Sequence, residues 1–424
     1  MEAPAQLSAR IKALQEKGVA LPNPFAVDIG PEVDLERISG KGVVLYPGTR
    51  LYGAKTLICP GTKLGYEAPV TIVDCRLGPS VELKGGFCST SVFLAGANMG
   101  SGAQVREGCI LEEEANGAHT VGLKQTVLFP FVTLGSLINF CDCFMAGGTS
   151  GKNHSEVGSS YIHFNYTPNQ DKATASLIGD VPRGVMLNQP PIFLGGQGGL
   201  IGPCRLGYGT VIAAGTVCRQ DCPDGGKLLG PADAPTPVSD FIPGYYGSVK
   251  RRIGNNVHYL ANLLALQQWY THVRQPFLRR QEMGPELYEG LQETLALAIA
   301  ERRKRLGELA DKLEVSLRIA RTRADRSARD ALRVRQQEEF CRSWPRIEEL
   351  LAGAGLPVIA AAARDRFLET IQARLAEEND YFKLIQGLDR DTTKLGTSWL
   401  QAIVAQLTAA VFALLPACGL EPPR

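Results

Sequence analysis

The sequence predicts a left-handed parallel β-helix followed by an all-α domain, and three observations support this. Of the 424 residues, 46 are glycine, a share well above that of an average protein. Large apolar residues recur every six positions through the first half of the chain, whereas the second half has few glycines and a helical spacing. We therefore expect four segments, namely an N-terminal helix or arm (1–23), a β-helix (24–223), a Pro/Gly-rich connector (224–250) and a helical domain (251–424).

The N-terminal segment and the overall composition exclude several classes of protein. Met1 to Lys17 carries charges throughout and lacks the apolar core of a secretory signal, so we expect a short amphipathic helix. The 45 basic and 43 acidic residues nearly cancel, which removes the positive field of a general nucleic-acid binder. The 11 cysteines form no CxxC pair, so we expect neither a disulfide framework nor a metal site, and a reduced, cytoplasmic protein.

The six-residue period defines the β-helix. It is clearest in two series of apolar residues: Phe93, Met99, Val105 and Leu111, and then Leu194, Leu200, Leu206 and Ile212. A small residue often stands two positions earlier, and a glycine often follows, as in Leu206-Gly207. Short strands joined by tight corners satisfy this pattern, with three hexads in each triangular coil. Cys75, Cys109 and Cys204 are then small residues that point inward.

The period is interrupted twice, between Glu112 and Asn153 and between Asn165 and Pro191. Insertions in a solenoid map to loops on one face, which is often the binding face. These two segments are therefore the expected position of binding residues. The alternative is that they are decayed repeats without a role.

The second half of the chain has the pattern of packed helices. One apolar stripe consists of Leu306, Leu309, Leu313 and Leu317. The basic run Arg302–Arg305 interleaves with Glu301 and Glu308, which indicates a solvated helix face or, alternatively, an anionic partner. Trp399–Leu415 is apolar but shorter than a membrane span and contains two glutamines. We expect it to be a buried or subunit-packing helix, with no membrane span in the protein.

A resemblance to a known family adds to this interpretation. From His163 to Asp221, an Asn-Tyr pair, a lysine loop, an Ile-Gly-Asp sequence and a Thr-Val-Ile-Ala-Ala-Gly-Thr corner follow in order. This order resembles the β-helix acetyltransferase domain of the bacterial glucosamine-1-phosphate acetyltransferase / N-acetylglucosamine-1-phosphate uridyltransferase family. The resemblance extends over roughly Asn23 to Asp221.

The resemblance implies an N-acetyltransferase that uses acetyl-CoA and acts on an amino sugar, a sugar phosphate or a nucleotide sugar. It also implies a homotrimer with sites between neighbouring β-helices. His154 corresponds to the catalytic base, and His163 is the reserve candidate. The implied sugar-binding residues are Asn165, Tyr166, Lys172 and Lys124. The implied acetyl-CoA-binding residues are Gly195, Gly196, Ala213, Ala214 and Arg219.

Two other functions remain open at this point. One is a non-catalytic β-helix that binds a sugar nucleotide or serves as a scaffold for partners. The other, less expected, is sugar-1-phosphate nucleotidyl transfer, because no glycine-rich nucleotide loop precedes the β-helix in this sequence. Turnover of acetyl-CoA with amino sugars distinguishes the first two, and pyrophosphate release from UTP identifies the third.

Overall fold

The structure, a computed structural model, describes residues 4–162, 169, 171–231, 241–322, 327–353 and 360–422. Its first half is a parallel β-solenoid with three sheets, which confirms the predicted β-helix. We number the sheets as faces 1, 2 and 3 in the order in which the chain visits them in each coil. Edge A joins face 1 to face 2, edge B joins face 2 to face 3, and edge C joins face 3 to face 1 of the next coil.

Face 1 has ten strands. Their bounds are Asp28–Ile29, Arg50–Tyr52, Val70–Val73, Gly86–Ser89, Ala103–Val105, Val121–Lys124, Ile138–Cys141, Tyr161–Ile162, Gly199–Leu200 and Val217–Cys218. Face 2 has eight strands. Their bounds are Leu57–Ile58, Arg76–Leu77, Ser91–Phe93, Cys109–Leu111, Val127–Leu128, Cys143–Met145, Ser176–Ile178 and Arg205–Leu206.

Face 3 also has ten strands. Their bounds are Val44–Leu45, Lys63–Leu64, Glu82–Leu83, Asn98–Met99, Asn116–Gly117, Thr133–Leu134, Glu156–Val157, Phe193–Leu194, Val211–Ile212 and Leu228–Leu229.

The hexad side chains fill the interior of the solenoid, because Leu194, Leu200 and Leu206 are almost fully buried. The inward-pointing cysteines are confirmed as well, since Cys75, Cys109 and Cys204 are free and buried.

The prediction that the solenoid is interrupted between Glu112 and Asn153 is wrong for most of that segment. Strands on all three faces continue in register through it, as in the pairing of Ile110 with Val127 and of Val127 with Phe144. The six-residue template missed them because these coils are one residue shorter than the coil in which Ser91 pairs with Cys109. Their edge A corners use one non-glycine residue of positive φ, Gln125 or Asp142. A hairpin, Gly148–Ser150 with Asn153–His154, is inserted only at edge B.

The helices have the following bounds: α1 Pro4–Lys17, α2 Val181–Gly184, α3 Lys250–Trp269, α4 Gln275–Leu278, α5 Gly284–Thr322, α6 Ala328–Leu351, α7 Ala361–Leu375, α8 Tyr381–Gln386 and α9 Arg390–Ala413. A π-helical turn, Tyr270–Arg274, joins α3 to α4. Three-residue 3₁₀ helices cover Pro24–Ala26, Leu35–Arg37 and Pro416–Cys418.

The helical half packs against face 2 of the solenoid. Helix α5 crosses three neighbouring strands of this face and α3 contacts a fourth, Ser176–Ile178. Pairing aligns an outer row of face 2, whose members are Leu57, Arg76, Val92, Ile110, Val127, Phe144, Leu177 and Arg205. All of these side chains except Arg205 are buried. Burial of this apolar row therefore joins the two halves into one core.

The long helix α5 confirms one expectation and corrects another. Its stripe Leu306, Leu309, Leu313 and Leu317 is buried, as predicted. The solvated basic face is only partly present: Arg305 pairs with Glu301 at 2.7 Å, one helical turn away. Arg302, however, is buried and pairs with Asp142 of the solenoid at 2.8 Å. Helical spacing alone could not reveal this partner, which lies far away in the sequence.

Helix α9 contains most of the apolar Trp399–Leu415 segment. Among the described residues, only Arg390–Phe412 is long and apolar enough to cross a bilayer, judged by length and composition. Of its most apolar stretch, 44% is buried inside the protein, and the helix packs against α3 and α7. Helix α9 is therefore partly buried within this chain, and a role in subunit packing stays a prediction.

Candidate functional site

Gly195, Gly196, Ala213 and Ala214 lie together on edge C, in consecutive coils of the solenoid. The coils approach so closely that a Cβ on Gly195 would lie 2.4 Å from the backbone nitrogen of Ala214. Gly195 N–H donates to the carbonyl oxygen of Ile212 at 2.8 Å. The stacking of the coils therefore requires a glycine at position 195, whereas a Cβ on Gly196 would make only ordinary contact, 3.5 Å from the backbone nitrogen of Ser159. Gly196 and Ala213 are partly exposed and Ala214 is exposed, so this edge is open.

The second residue of an edge C corner has a backbone N–H that the stacking of the coils does not use. Within the described part of the chain, neither Gly196 N–H nor Ala214 N–H donates a hydrogen bond. Ser101 occupies the equivalent corner position of an earlier coil, and its N–H donates to the carboxylate oxygen Oε2 of Glu67 at 3.2 Å. This position on edge C can therefore bind a negatively charged oxygen.

His154 lies at edge B, at the end of the inserted hairpin. Its Nδ1 is 2.9 Å from the carbonyl oxygen of Gly151, so this nitrogen carries the proton and Nε2 has the lone pair. Nε2 lies 3.8 Å from Oε2 of Glu156, and 23% of the histidine side chain is exposed. With its Nε2 lone pair not donated to a hydrogen bond within the described residues, this histidine can accept a proton as a general base does.

The three predicted cationic residues lie at edge A. Lys124 pairs with Glu107, with 2.6 Å between Nζ and Oε1. Lys172 and Arg219 are both exposed, and the carbonyl oxygen of Arg219 accepts a hydrogen bond from Arg251. Lys124 is thus already neutralised. His163, Asn165 and Tyr166 lie outside the described residues.

The predicted residues with a described position therefore occupy three different edges of the solenoid. Edge C has the four small residues, edge B has His154, and edge A has the cations. Of the predicted residues that the structure describes, one chain brings together the four of edge C. Among the residues that the structure describes, no group of three or more His, Cys, Asp or Glu side chains could hold a metal ion.

The sequence analysis missed a cavity between the solenoid and the helical half. It has a volume of about 590 Å³ and is lined by Arg205, His258 and Asn262 among others. The signal in the sequence was the charged residue at Arg205, an outer position of face 2, where the row is otherwise mostly apolar. It could not be interpreted without knowing that helices cover this face.

Comparisons with known proteins agree with the resemblance. No family model matches the chain. It is 27% identical to the bifunctional protein GlmU of Thermotoga maritima over 53% of this chain and 44% of the relative. It is 25% identical to the bifunctional protein GlmU of Carboxydothermus hydrogenoformans over 51% of this chain and 43% of the relative. It is 28% identical to the bifunctional protein GlmU of Corynebacterium aurimucosum over 49% of this chain and 38% of the relative. The chain thus spans less than half the length of these relatives, and its solenoid is similar to them and consistent with a β-helix acetyltransferase domain.

Proposed function

We propose that this protein is a homotrimeric acetyltransferase that transfers the acetyl group of acetyl-CoA to the amino group of a sugar, sugar phosphate or nucleotide sugar. The observation that carries the proposal is the unpaired backbone N–H of Gly196 and Ala214 on the open edge C, in a solenoid similar to the bifunctional protein GlmU. The 11 free cysteines favour a reducing compartment such as the cytoplasm.

The reaction requires an oxyanion site and a base. The amine nitrogen attacks the thioester carbonyl carbon, a C–N bond forms, and the C–S bond then breaks. Gly196 N–H would stabilise the oxyanion of the intermediate, and Nε2 of His154 would accept the proton lost by the amine. The proton is then transferred to the sulfur of coenzyme A, which departs as a thiol. Atoms and charge therefore balance without a metal or redox partner.

A site made of edges B and C needs more than one copy of the chain. Helices cover face 2, so faces 1 and 3 are available for packing between copies. Next to edge C, face 3 has an exposed apolar ladder of Phe193, Val211 and Leu228 in register. Val217 is exposed on face 1 just beyond the same edge. Such a patch is typical of a subunit interface, and it supports assembly of a homotrimer around edge C.

Val211→Lys is expected to convert the trimer into monomers, because it buries a charge at the centre of this ladder. Light scattering coupled to gel filtration measures the mass. Asn98→Lys, on the same face in an earlier coil, serves as the control and should remain trimeric. A monomeric wild-type protein, or a trimeric Val211→Lys variant, would contradict the proposed assembly.

The activity is tested by release of the coenzyme A thiol with a panel of amino sugars and their phosphates and nucleotide derivatives. We expect His154→Ala to lower kcat about a hundredfold with a small change in KM, because a general base acts on the chemical step. Lys152→Ala, an exposed neighbour on the same hairpin, is the matched control. Equal turnover by His154→Ala would remove the histidine from the mechanism.

A scaffold or sugar-nucleotide-binding protein is the second candidate. It is favoured by the Lys124–Glu107 ion pair, which leaves one expected phosphate-binding lysine already neutralised. It predicts binding of a nucleotide sugar without thiol release for any acceptor. Calorimetric titration with UDP-N-acetylglucosamine and with coenzyme A separates the two functions, since only the acetyltransferase requires coenzyme A binding.

A further inference from the structure

The cavity at face 2 lies where the last coils of the solenoid meet α3 and α9. Its apolar wall is formed by Leu177, Pro182, Leu206 and Val404, all buried. Its polar wall is formed by Arg205 and His258, with Asn262 beside them. The volume of about 590 Å³ is within the usual range of small-molecule sites.

Arg205 differs from the other arginine in the outer row of face 2. Arg76, near the opposite end of that row, is buried and forms an ion pair with Glu293 of α5. Arg205 has no such partner, and its Nε is buried without a hydrogen bond to any described residue. The buried Nε does not distinguish the two, since that of Arg76 also lacks a hydrogen bond. The difference is that Arg205 is only partly buried and lines the cavity without an ion pair to any described residue, so an anionic ligand in the cavity would supply the missing partner.

The carboxylate of Asp221 acts on the Arg205 side chain only through its charge, which opposes the lowering of the pKa of Arg205 by burial. Oδ1 of Asp221 accepts the backbone N–H of Arg205 at 2.9 Å and the side-chain amide of Asn255 at 2.9 Å. On the cavity wall, Asp180 is paired with Arg183, with 2.7 Å between Oδ2 and Nε. Neither carboxylate therefore accepts a hydrogen bond from Nε of Arg205.

Helix α3 places a neutral group opposite Arg205. Burial and the charge of Arg205 lower the pKa of His258 to about 3, so its ring is uncharged at neutral pH. The ring packs edge-on against Phe412 at 5.5 Å. Among the described residues, neither ring nitrogen has a hydrogen-bond partner. His258 therefore offers an N–H to an acceptor in the cavity without adding charge.

We infer that this cavity binds a small molecule with one carboxylate and an apolar body. Arg205 would hold the carboxylate, His258 would donate a second hydrogen bond, and the apolar body would lie against Leu206 and Val404. The exposed acids Asp224 and Glu421 line the mouth. They repel a polyanion such as a nucleotide more strongly than a monoanion. Arg183 on the cavity wall is already paired with Asp180, so among the described lining residues Arg205 is the arginine left to bind one carboxylate.

The test uses hexanoate as the probe and compares it with hexanol and inorganic phosphate at equal ionic strength. Isothermal titration gives Kd, and the shift in Tm is an independent measure. Arg205→Met should raise the Kd for hexanoate about tenfold or more, because it removes the charge and keeps the volume. His258→Phe should raise it about threefold, the loss of one neutral hydrogen bond. Arg390→Met, an exposed arginine of α9, is the control and should bind as wild type.

Folding of the Arg205→Met variant is checked by its Tm without hexanoate, which should stay close to that of the wild type because methionine keeps the volume of a partly exposed side chain that forms no ion pair with a described residue. Hexanoate binding that depends on Arg205, together with weaker binding of phosphate and hexanol, supports the inference. It is overturned if hexanoate does not bind, if Arg205→Met binds it equally well, or if phosphate binds more tightly. None of these outcomes depends on acetyl transfer.

Discussion

Arg274→Met is expected to destabilise the protein by about 3–5 kcal/mol, because it leaves a buried carboxylate without its cation. Arg274 lies in the π-helical turn, and its side chain is only 1% exposed. It forms an ion pair with Glu113 of the solenoid and lies over the ring of Tyr381, 3.8 Å from the centroid. The free energy of unfolding is measured by denaturant titration followed by circular dichroism.

Two controls make this prediction specific. Arg321→Met removes an exposed pair with Glu338 and should cost less than about 1 kcal/mol. The double variant Arg274→Met/Glu113→Gln should recover much of the lost stability, because it removes the unpaired charge together with its partner. If the single and double variants are equally unstable, lost packing rather than the buried charge explains the effect.

Glu112→Gln is expected to remove a pH dependence of stability between about pH 4.5 and pH 8. Burial raises the pKa of Glu112 from 4.5 to about 8, and the Tyr270 hydroxyl donates to its Oε1 at 2.6 Å. The charged groups that face it are Arg274 and Glu113. The folded protein therefore retains a proton that the unfolded chain loses near pH 4.5, the ordinary pKa of a glutamate.

The sign of the effect follows from this difference. The contribution of Glu112 is fully present below pH 4.5 and is lost as the pH rises towards 8, because the folded state binds more protons in this window. Glu112→Gln keeps an oxygen that accepts from Tyr270 and cannot ionise. The variant should match the wild type near pH 5 and exceed it near pH 8, by an amount on the order of a few kcal/mol.

Denaturant titrations at a series of pH values give the free energy of unfolding of the wild type and of Glu112→Gln. The difference between the two free energies cancels the contributions of the other titrating groups. The exposed Glu349→Gln variant controls for the loss of one carboxylate, and its curve should run parallel to that of the wild type. Parallel curves for the wild type and Glu112→Gln would show that Glu112 is charged in the folded protein.

The hexad pattern predicted the solenoid because its coils depend on local residues. An aliphatic residue such as Leu200 must point inward, and a glycine such as Gly209, with a φ of 72°, suits a tight corner. The same template failed where Gln125 and Asp142 form shorter corners, since polar residues of positive φ carry no visible period.

The candidate site was predicted less completely than the fold. The resemblance identified the small residues that stack at edge C, where Gly195 and Ala214 lie in neighbouring coils. His154 and Lys124 lie on different edges of one chain, so their place in a shared site stays a prediction that depends on how copies of the chain pack together. Arg205 and His258 meet only after the helical half has packed on face 2, which no local pattern predicts.

The position of α5 changes how this solenoid is expected to unfold. In an isolated solenoid each coil contacts only its neighbours, so coils can open one at a time from either end. Here one 39-residue helix lies across strands from three successive coils. Opening any one of those coils requires the helix to detach from the others as well. The covered coils should therefore exchange their amide hydrogens as one cooperative unit with α5, whereas the terminal coil that ends at Leu229 can fray independently.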